Sequence, residues 1–262
     1  MRILFVGDVV GRPGRDAVEG LLPDLRERLE VDACIVNGEN VANGVGITPR
    51  LAETLRRAGA DAITLGNHTW RREEIGPYLA SSPFVVRPAN MASANPGRGL
   101  TVVEAREGTQ VAVLNLLGSL FLDPPHSMWE LVDELVEEAR ERTPVIVVDV
   151  HAEATSEKVA LARWLDGRVS AVLGTHTHVQ TADARVLPGG TAALTDVGMT
   201  GPHDSVIGVE AELAIRRMRT GMPVRFETAT DGVRLEGALV TCDPATGRAS
   251  AIEPVCVPWP AT

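Results

Sequence analysis

The run Arg2-Ile3-Leu4-Phe5-Val6-Gly7-Asp8 opens the chain with apolar residues that stop abruptly at a carboxylate. A short apolar run without a polar face reads as a strand buried on both sides. Gly7-Asp8 then falls at its carboxyl end, where an open α/β sheet gathers its functional groups. The pattern repeats downstream. Residues 33–36 form a second apolar run that delivers Asn37-Gly38-Glu39-Asn40, and residues 62–65 a third that delivers Gly66-Asn67-His68. Between the first two, a turn at Gly11-Arg12-Pro13-Gly14 leads into a helix carrying Ala17, Val18, Leu21, Leu22, Leu25 and Leu29 on one face, with Pro23 as a point of kink or break. Between the second and third, Thr48-Pro49 supplies an N-cap and first-turn pair for a helix reaching Ala58. This βαβαβ opening predicts a parallel sheet with right-handed crossovers.

Further along, Pro77, Pro83, Pro88 and Pro96 break up residues 70–99 and leave room for one short helix at 72–80. Residues 100–104 and 110–114 read as a hairpin across Glu107-Gly108, and 127–142 as an amphipathic helix. The most hydrophobic strand, 145–150, runs directly into His151. A helix over 156–165 precedes a strand at 169–173 that delivers Gly174-Thr175-His176-Thr177-His178. Strands at 181–187, 191–195, 223–228, 233–241 and 249–257 follow, with one helix at 209–218 and a surface tail at Pro258-Trp259-Pro260. No repeat, low-complexity tract or linker interrupts the chain, so residues 1–262 read as a single domain. An α/β front half followed by an antiparallel back half suggests two sheets packed face to face with helices outside.

With 262 residues, 44% hydrophobic and 23% charged, the composition is that of an ordinary globular protein with a full core. No apolar run approaches the ~18 residues of a membrane span, and Asp8 follows the first apolar segment too soon for a signal peptide. A cytoplasmic location is expected, with no membrane partner. Cys34, Cys242 and Cys256 are odd in number and share no CxxC spacing, so neither a disulfide framework nor a thiolate metal site is indicated. The formal net charge of −10 speaks against a DNA-binding surface. A small phosphate ester stays compatible with it, because bound cations supply local positive charge.

Taken singly, the polar residues at the strand ends have ordinary readings. A lone Asp8 is commonly a turn residue or helix cap, Glu39-Asn40 between glycines a turn, and His151 a satisfied core histidine. His68 is less usual, because histidine is not a turn former. The pair His176 and His178 is the sharpest signal, since imidazole is a common transition-metal ligand and a His-x-His loop can aim two rings at neighbouring ions. Together, Asp8, Glu39, Asn40, Asn67, His151, His176 and His178 at five strand ends match a two-metal hydrolase in ligand type and number. Mixed nitrogen and oxygen donors suit Mn(II) or Fe(II), one carboxylate can bridge ions about 3.5–4 Å apart, and solvent held between them becomes hydroxide near neutral pH.

The ordered set Gly7-Asp8, Gly38-Glu39-Asn40, Gly66-Asn67-His68, His151 and Thr175-His176-Thr177-His178 resembles the calcineurin-like metallophosphoesterase superfamily. Gly7-Asp8-Val9-Val10-Gly11, Asn37-Gly38-Glu39-Asn40 and Asp204-Ser205-Val206-Ile207-Gly208 look more narrowly like its YmdB branch, and the likeness covers essentially the whole chain. The resemblance implies a four-layer α/β/β/α sandwich of two mixed sheets. It implies that Asp8, Glu39, Asn40 and His178 hold one divalent ion and Glu39, Asn67, His151 and His176 the other, with Glu39 as bridge. His68 would be the proton donor to the leaving oxygen. Three positions depart from the broad superfamily pattern. Val10 stands where a histidine is usual, Glu39 replaces a bridging aspartate, and Thr69 replaces an acid that orients the preceding histidine.

The resemblance further implies a phosphodiesterase acting on 2',3'-cyclic nucleotides, with two Fe(II) or Mn(II) ions and a metal-bridging hydroxide as nucleophile. Two other readings fit the same ligand set. One is a phosphomonoesterase acting on nucleotides or phosphoproteins, and the other a metal-loaded regulatory protein that acts through a partner. A homo-oligomer is compatible with each. Arg71 and Arg72 are candidate phosphate contacts or a solvated helix start, and His126 and His203 read as surface or structural residues.

Overall fold

The structure, a computed structural model, describes residues 1–260. Its first third contains β1 (Arg2–Val6), β2 (Asp8–Val9), α1 (Gly11–Arg28), β3 (Ala33–Asn37), α2 (Pro49–Ala58), β4 (Ala62–Thr64), α3 (Ile75–Ser81) and β5 (Val85–Val86). The middle contains β6 (Leu100–Glu104), β7 (Gln110–Leu117), α4 (Val132–Arg140), β8 (Ile146–His151), α5 (Thr155–Trp164) and β9 (Ala171–Thr175). Then come β10 (Arg185–Val186), β11 (Ala192–Leu194), β12 (Met199–Pro202), α6 (Ala211–Thr220), β13 (Val233–Cys242) and β14 (Ala249–Pro258).

One sheet has the order β2-β12-β13-β1-β3-β4-β5, with β14 beside β13, and the other β10-β11-β9-β8-β7-β6. Strand β1 shows why they stack. Successive side chains point to opposite faces, so Ile3 and Phe5 enter the core between the sheets beside Val113, Val147 and Leu173. Leu4 and Val6 face outward and are covered by Val18 and Leu22 of α1 and Leu55 of α2. The second sheet repeats this with Leu114 and Val148 under Val136 of α4 and Leu161 of α5. The result is the expected four-layer α/β/β/α sandwich of two mixed sheets. Among the described residues no helix is long and apolar enough to cross a membrane.

Several expectations need correction. The sheets do not divide the chain into front and back halves. Instead β13 pairs antiparallel with β1, placing Phe5 opposite Ala238 and Val6 opposite Gly237. Residues 11–14, read as a turn, form the first turn of α1, where Pro13 has no amide hydrogen to satisfy and none is required. Pro23 lies within the same continuous helix, on its exposed face, and does not break it. The 127–142 helix is split into a 3-10 turn at Met128–Glu130 and α4. Only Arg185–Val186 of the 181–187 strand is extended in a sheet. Residues 223–228 are not a strand, because they close a loop against 209–210 through Glu210 N and Glu227 O. The tail is only partly at the surface, since Trp259 lies against Gly20 of α1, where a Cβ would collide with its ring.

Candidate metal centre

All eight residues expected at the site come together at the carboxyl ends of β1, β3, β4, β8 and β9. Glu39 lies at the centre, 1% exposed, on the loop after β3. Its Oε1 is 3.3 Å from His151 Nε2 and 3.1 Å from His68 Nδ1, and its Oε2 accepts from the His68 amide at 3.0 Å. Asn67 Oδ1 lies 2.9 Å from His151 Nε2, and His176 Nδ1 lies 3.1 Å from the same atom. Ligand atoms of Glu39, His151 and His176 all lie within 4.8 Å of one another. On the other side of Glu39, His178 Nε2 is 3.8 Å from Asp8 Oδ1 and 3.2 Å from Asn40 Nδ2.

The imidazoles of His151, His176 and His178 are oriented from behind. Thr175 Oγ1 donates its hydrogen to Asp149 Oδ1 at 2.7 Å, so at 2.8 Å it must accept from His151 Nδ1. Glu153 Oε2 accepts from His176 Nε2 at 3.0 Å, and the Ile207 carbonyl accepts from His178 Nδ1 at 3.0 Å. In each ring the outer nitrogen is tied to an acceptor and the inner one faces the centre. Such partners fix tautomer and ring orientation for metal ligands. Asp149 is itself held by Asn37 Nδ2 at 3.1 Å.

The electrostatics match a cation site. Asp8 is fully buried, and burial raises its pKa although His178 pulls the other way. Burial would also raise Glu39, but the imidazoles of His151 and His68 outweigh it and hold the carboxyl well below its usual range. Burial likewise opposes a charge on His151, yet Glu39, Asp8 and Asp149 lift that imidazole to about 9. His176 falls to about 3, through burial and the neighbouring His151 charge. Among the described residues no lysine or arginine pairs with Asp8 or Glu39, so two buried carboxylates face inward-turned imidazoles alone. Two buried carboxylates with one imidazolium between them are short of positive charge, which is costly, and this donor set fits divalent ions bound by mixed oxygen and nitrogen.

Asn40 differs from the other candidates. It accepts from His68 Nδ1 through Oδ1 at 2.7 Å and turns Nδ2 toward Asp8 and His178. A ligand role here needs the amide turned over to present Oδ1. His68 is anchored only at Nδ1, and its ring is 26% exposed with Nε2 directed away from Glu39 and Asn40. Thr69, in place of an orienting acid, donates to the Gly66 carbonyl at 2.6 Å and caps the turn that carries His68.

The loop bearing the His-Thr-His stretch is backbone-strained, with His176 at φ 97° and His178 at φ 63°. L-residues rarely adopt this region, and neighbours must hold them there. Asp196 does so from below. Its Oδ2 accepts from Thr177 N at 3.2 Å, Thr177 Oγ1 at 2.6 Å and Lys158 Nζ at 2.9 Å. Lys158 and Asp196 are both buried. Gly66 supplies a second constraint, because a Cβ there would collide with Glu39 Oε2 and His151 Nε2.

Sequence pattern alone does not point to Asp149, Glu153, Lys158 or Asp196. A hint existed for Asp149, a lone acid within the apolar β8 run, since such a residue needs a buried partner. The other candidates lie outside the cluster. Arg72 donates to the Ala42 and Val45 carbonyls at 2.8 and 3.2 Å, so it braces the loop after Glu39. Arg71 and His126 do not reach the centre, and His126 is exposed. His203 is structural, with Nε2 against the Met199 carbonyl and Nδ1 accepting from Arg234.

The chain is similar to known proteins along nearly its whole length. The family described as YmdB-like protein matches residues 4–255. A Bacillus subtilis protein named 2',3'-cyclic-nucleotide 2'-phosphodiesterase is 50% identical over 98% of this chain and 97% of its own. A hypothetical protein from Thermus thermophilus, known from a crystal structure, superposes with a TM-score of 0.93 at 45% identity, covering 99% of this chain and 100% of that one. The calcineurin-like phosphoesterase YfkN from Bacillus subtilis shares the fold at 11% identity, with a TM-score of 0.62 over 98% of this chain and 90% of that one.

Proposed function

Because the chain belongs to the YmdB-like family, we propose that it is a dinuclear metal-dependent phosphodiesterase that hydrolyses 2',3'-cyclic nucleotides. The observation that carries this reading is the inward convergence of the His151, His176 and His178 nitrogens around buried Glu39, each ring fixed by an acceptor behind it. Asp8, Glu39, Asn40 and His178 would hold one ion, and Glu39, Asn67, His151 and His176 the other. The mixed donor set suits Fe(II) or Mn(II). Bound, the ions would supply a nucleophile from water near neutral pH and neutralise charge developing on the phosphoryl oxygens.

The chain's own groups would do the rest. His68 keeps Nδ1 hydrogen-bonded to Asn40 and beside the Glu39 carboxylate, which turns its Nε2 outward. A proton on that outward Nε2 is placed for the departing ribose oxygen, the role of a general acid. Arg72 keeps the Glu39–Asn40 loop in place from a distance. The fold of residues 1–260 has one continuous core between its sheets, in support of a single catalytic domain. A cytoplasmic location belongs to the same proposal, supported by Cys34, Cys242 and Cys256 being free thiols.

The test pairs metal analysis of anaerobically purified protein with assays on 2',3'-cyclic, 3',5'-cyclic and terminal nucleotide phosphates. Two ions per chain and preference for the 2',3'-cyclic diester are expected. Preference for terminal phosphates would make the protein a phosphomonoesterase. Full metal content without turnover on any ester would point to a regulatory role.

A further inference from the structure

Of the twelve large hydrophobic side chains exposed on the described protein, six sit around the metal centre. Val45, Trp70, Leu120, Phe121 and Val179 are on the loops that follow β3, β4, β7 and β9, and Ile207 is beside His178. Single exposed apolar residues are ordinary, but such a concentration at the mouth of a site marks a ligand surface. Two of the six are aromatic. Trp70 is 36% exposed and Phe121 84%.

These two leave opposing strand ends. Trp70 lies in the 3-10 turn Thr69–Arg71 that follows His68 at the end of β4. Phe121 lies on the loop after β7, where Leu117 pairs with His151 and the Gly118 amide donates to the His151 carbonyl at 2.9 Å. Phe121 follows Gly118 by three residues, a reach of at most about 11 Å. The ends of β4 and β7 face each other across the two sheets, since the Leu65 amide donates to Asn115 Oδ1 at 3.3 Å. In sheet order β1, β3 and β4 carry site residues in turn, as do β9 and β8, and β4 and β7 lie at the same end of that row. Both aromatic residues therefore flank the His68 side of the centre. On the opposite side the Ile207 carbonyl closes the wall behind His178.

The Phe121 loop is built to hold its ring in solvent. Its φ of 63° is one that a bulky L-residue rarely adopts. Glu157 fixes the loop by accepting from Ser119 N at 2.8 Å and Leu120 N at 3.4 Å. A Cβ at Gly118 would collide with Ala152 and Glu157. Burial within the chain does not explain the conformation, because the ring stays exposed.

The proposed reaction says what meets these rings. In a 2',3'-cyclic nucleotide the leaving oxygen and the base belong to one ribose, so the base lies one sugar away from His68 Nε2. Stacking on aromatic side chains is a common way to hold an unpaired base, and it accepts all four because each has a π-face. We propose that Trp70 and Phe121 form a two-sided aromatic clamp for the nucleobase, which selects nucleotides over other cyclic phosphodiesters. The clamp deepens the phosphodiesterase reading and rests on it.

The test compares Mn(II)-loaded wild type with Trp70→Ala and Phe121→Ala on adenosine 2',3'-cyclic phosphate and on methyl riboside 2',3'-cyclic phosphate, which has no base. The ratio of kcat/KM for the two esters should fall by roughly 5- to 100-fold in each variant, through KM for the nucleotide. Trp70→Phe and Phe121→Tyr should restore it. A substitution that only displaced His68 would slow both esters alike and leave the ratio intact. Binding is read separately from turnover. Adenosine 3'-monophosphate should quench the tryptophan fluorescence of wild type, and Trp70→Phe should lose that quenching while keeping most of its affinity by calorimetry. Phe121→Ala should bind the same nucleotide roughly 5- to 100-fold more weakly. An unchanged ratio in either alanine variant, no quenching in wild type, or quenching that persists in Trp70→Phe would overturn the clamp. If neither ester is turned over, the phosphodiesterase reading fails, and fluorescence and calorimetry still decide the clamp.

Discussion

His151 Nε2 stands 3.1 Å from His176 Nδ1, with the first imidazole raised to about 9 and the second lowered to about 3. At neutral pH in the metal-free protein His151 therefore carries a proton on Nε2, which Glu39 Oε1, Asn67 Oδ1 and the neutral His176 Nδ1 all face as acceptors. A cation entering between them must displace that proton. Calorimetric metal titration at pH 7, run in buffers of different ionisation enthalpy, should show about one proton released per chain from this pair. The release should vanish as pH passes about 9. Without metal, a raised histidine stabilises the fold fully below its unfolded pKa of 6.5 and ceases to do so as pH rises through 9. Metal-free protein should thus lose thermal stability between those limits. Buffer-independent heats at pH 7 would contradict the protonated pair.

Replacing His68 by alanine removes a ring anchored at one nitrogen and leaves the inward atoms of His151, His176 and His178 in place. Metal content by elemental analysis should be unchanged, while kcat on a 2',3'-cyclic nucleotide falls by roughly 10²–10⁴. Full turnover would remove His68 from the chemistry.

Gly66→Ala drives a methyl group into both Glu39 Oε2 and His151 Nε2. The carboxylate and the ring cannot both keep their positions. We expect a folded protein by far-ultraviolet circular dichroism that binds Mn(II) at least roughly 10-fold more weakly, comparable to loss of an orienting partner. Unaltered Mn(II) affinity would show that the crowding is relieved elsewhere.

Lys158→Met strands the Asp196 carboxylate, which is buried and otherwise bonded to Thr177 and Gly198. Breaking one partner of such a pair costs about 3–5 kcal/mol, readable as a lowered denaturation midpoint. Adding Asp196→Asn should recover part of that loss. It should not recover metal affinity, because the Thr177 clamp on the strained His176–His178 turn has then lost its charge. Equal stability of wild type and Lys158→Met would refute the buried pair.

The candidate site is legible in the sequence because its candidate ligands sit where apolar runs end, and a strand end is fixed by the run before it. Asp8, Glu39, Asn67, His151 and His176 are of this kind. The groups behind them were hidden for a physical reason. Asp149 and Asn37 lie inside strands, and their partners are brought in by sheet pairing rather than by spacing. Lys158 belongs to α5, where a lysine ordinarily faces water, and only the close approach of Asp196 turns it inward. The assignment of strands to sheets was misread for a related reason. Hydrophobic pattern reports that β13 is buried but not that it lies between β1 and β12.

That position of β13 has a consequence for how the centre assembles. Gly7, next to the candidate ligand Asp8, donates its amide to the Glu236 carbonyl at 2.9 Å. One corner of the centre is therefore positioned by a strand that lies far away in sequence, and a non-local pairing of this kind is among the slower contacts for a chain to form.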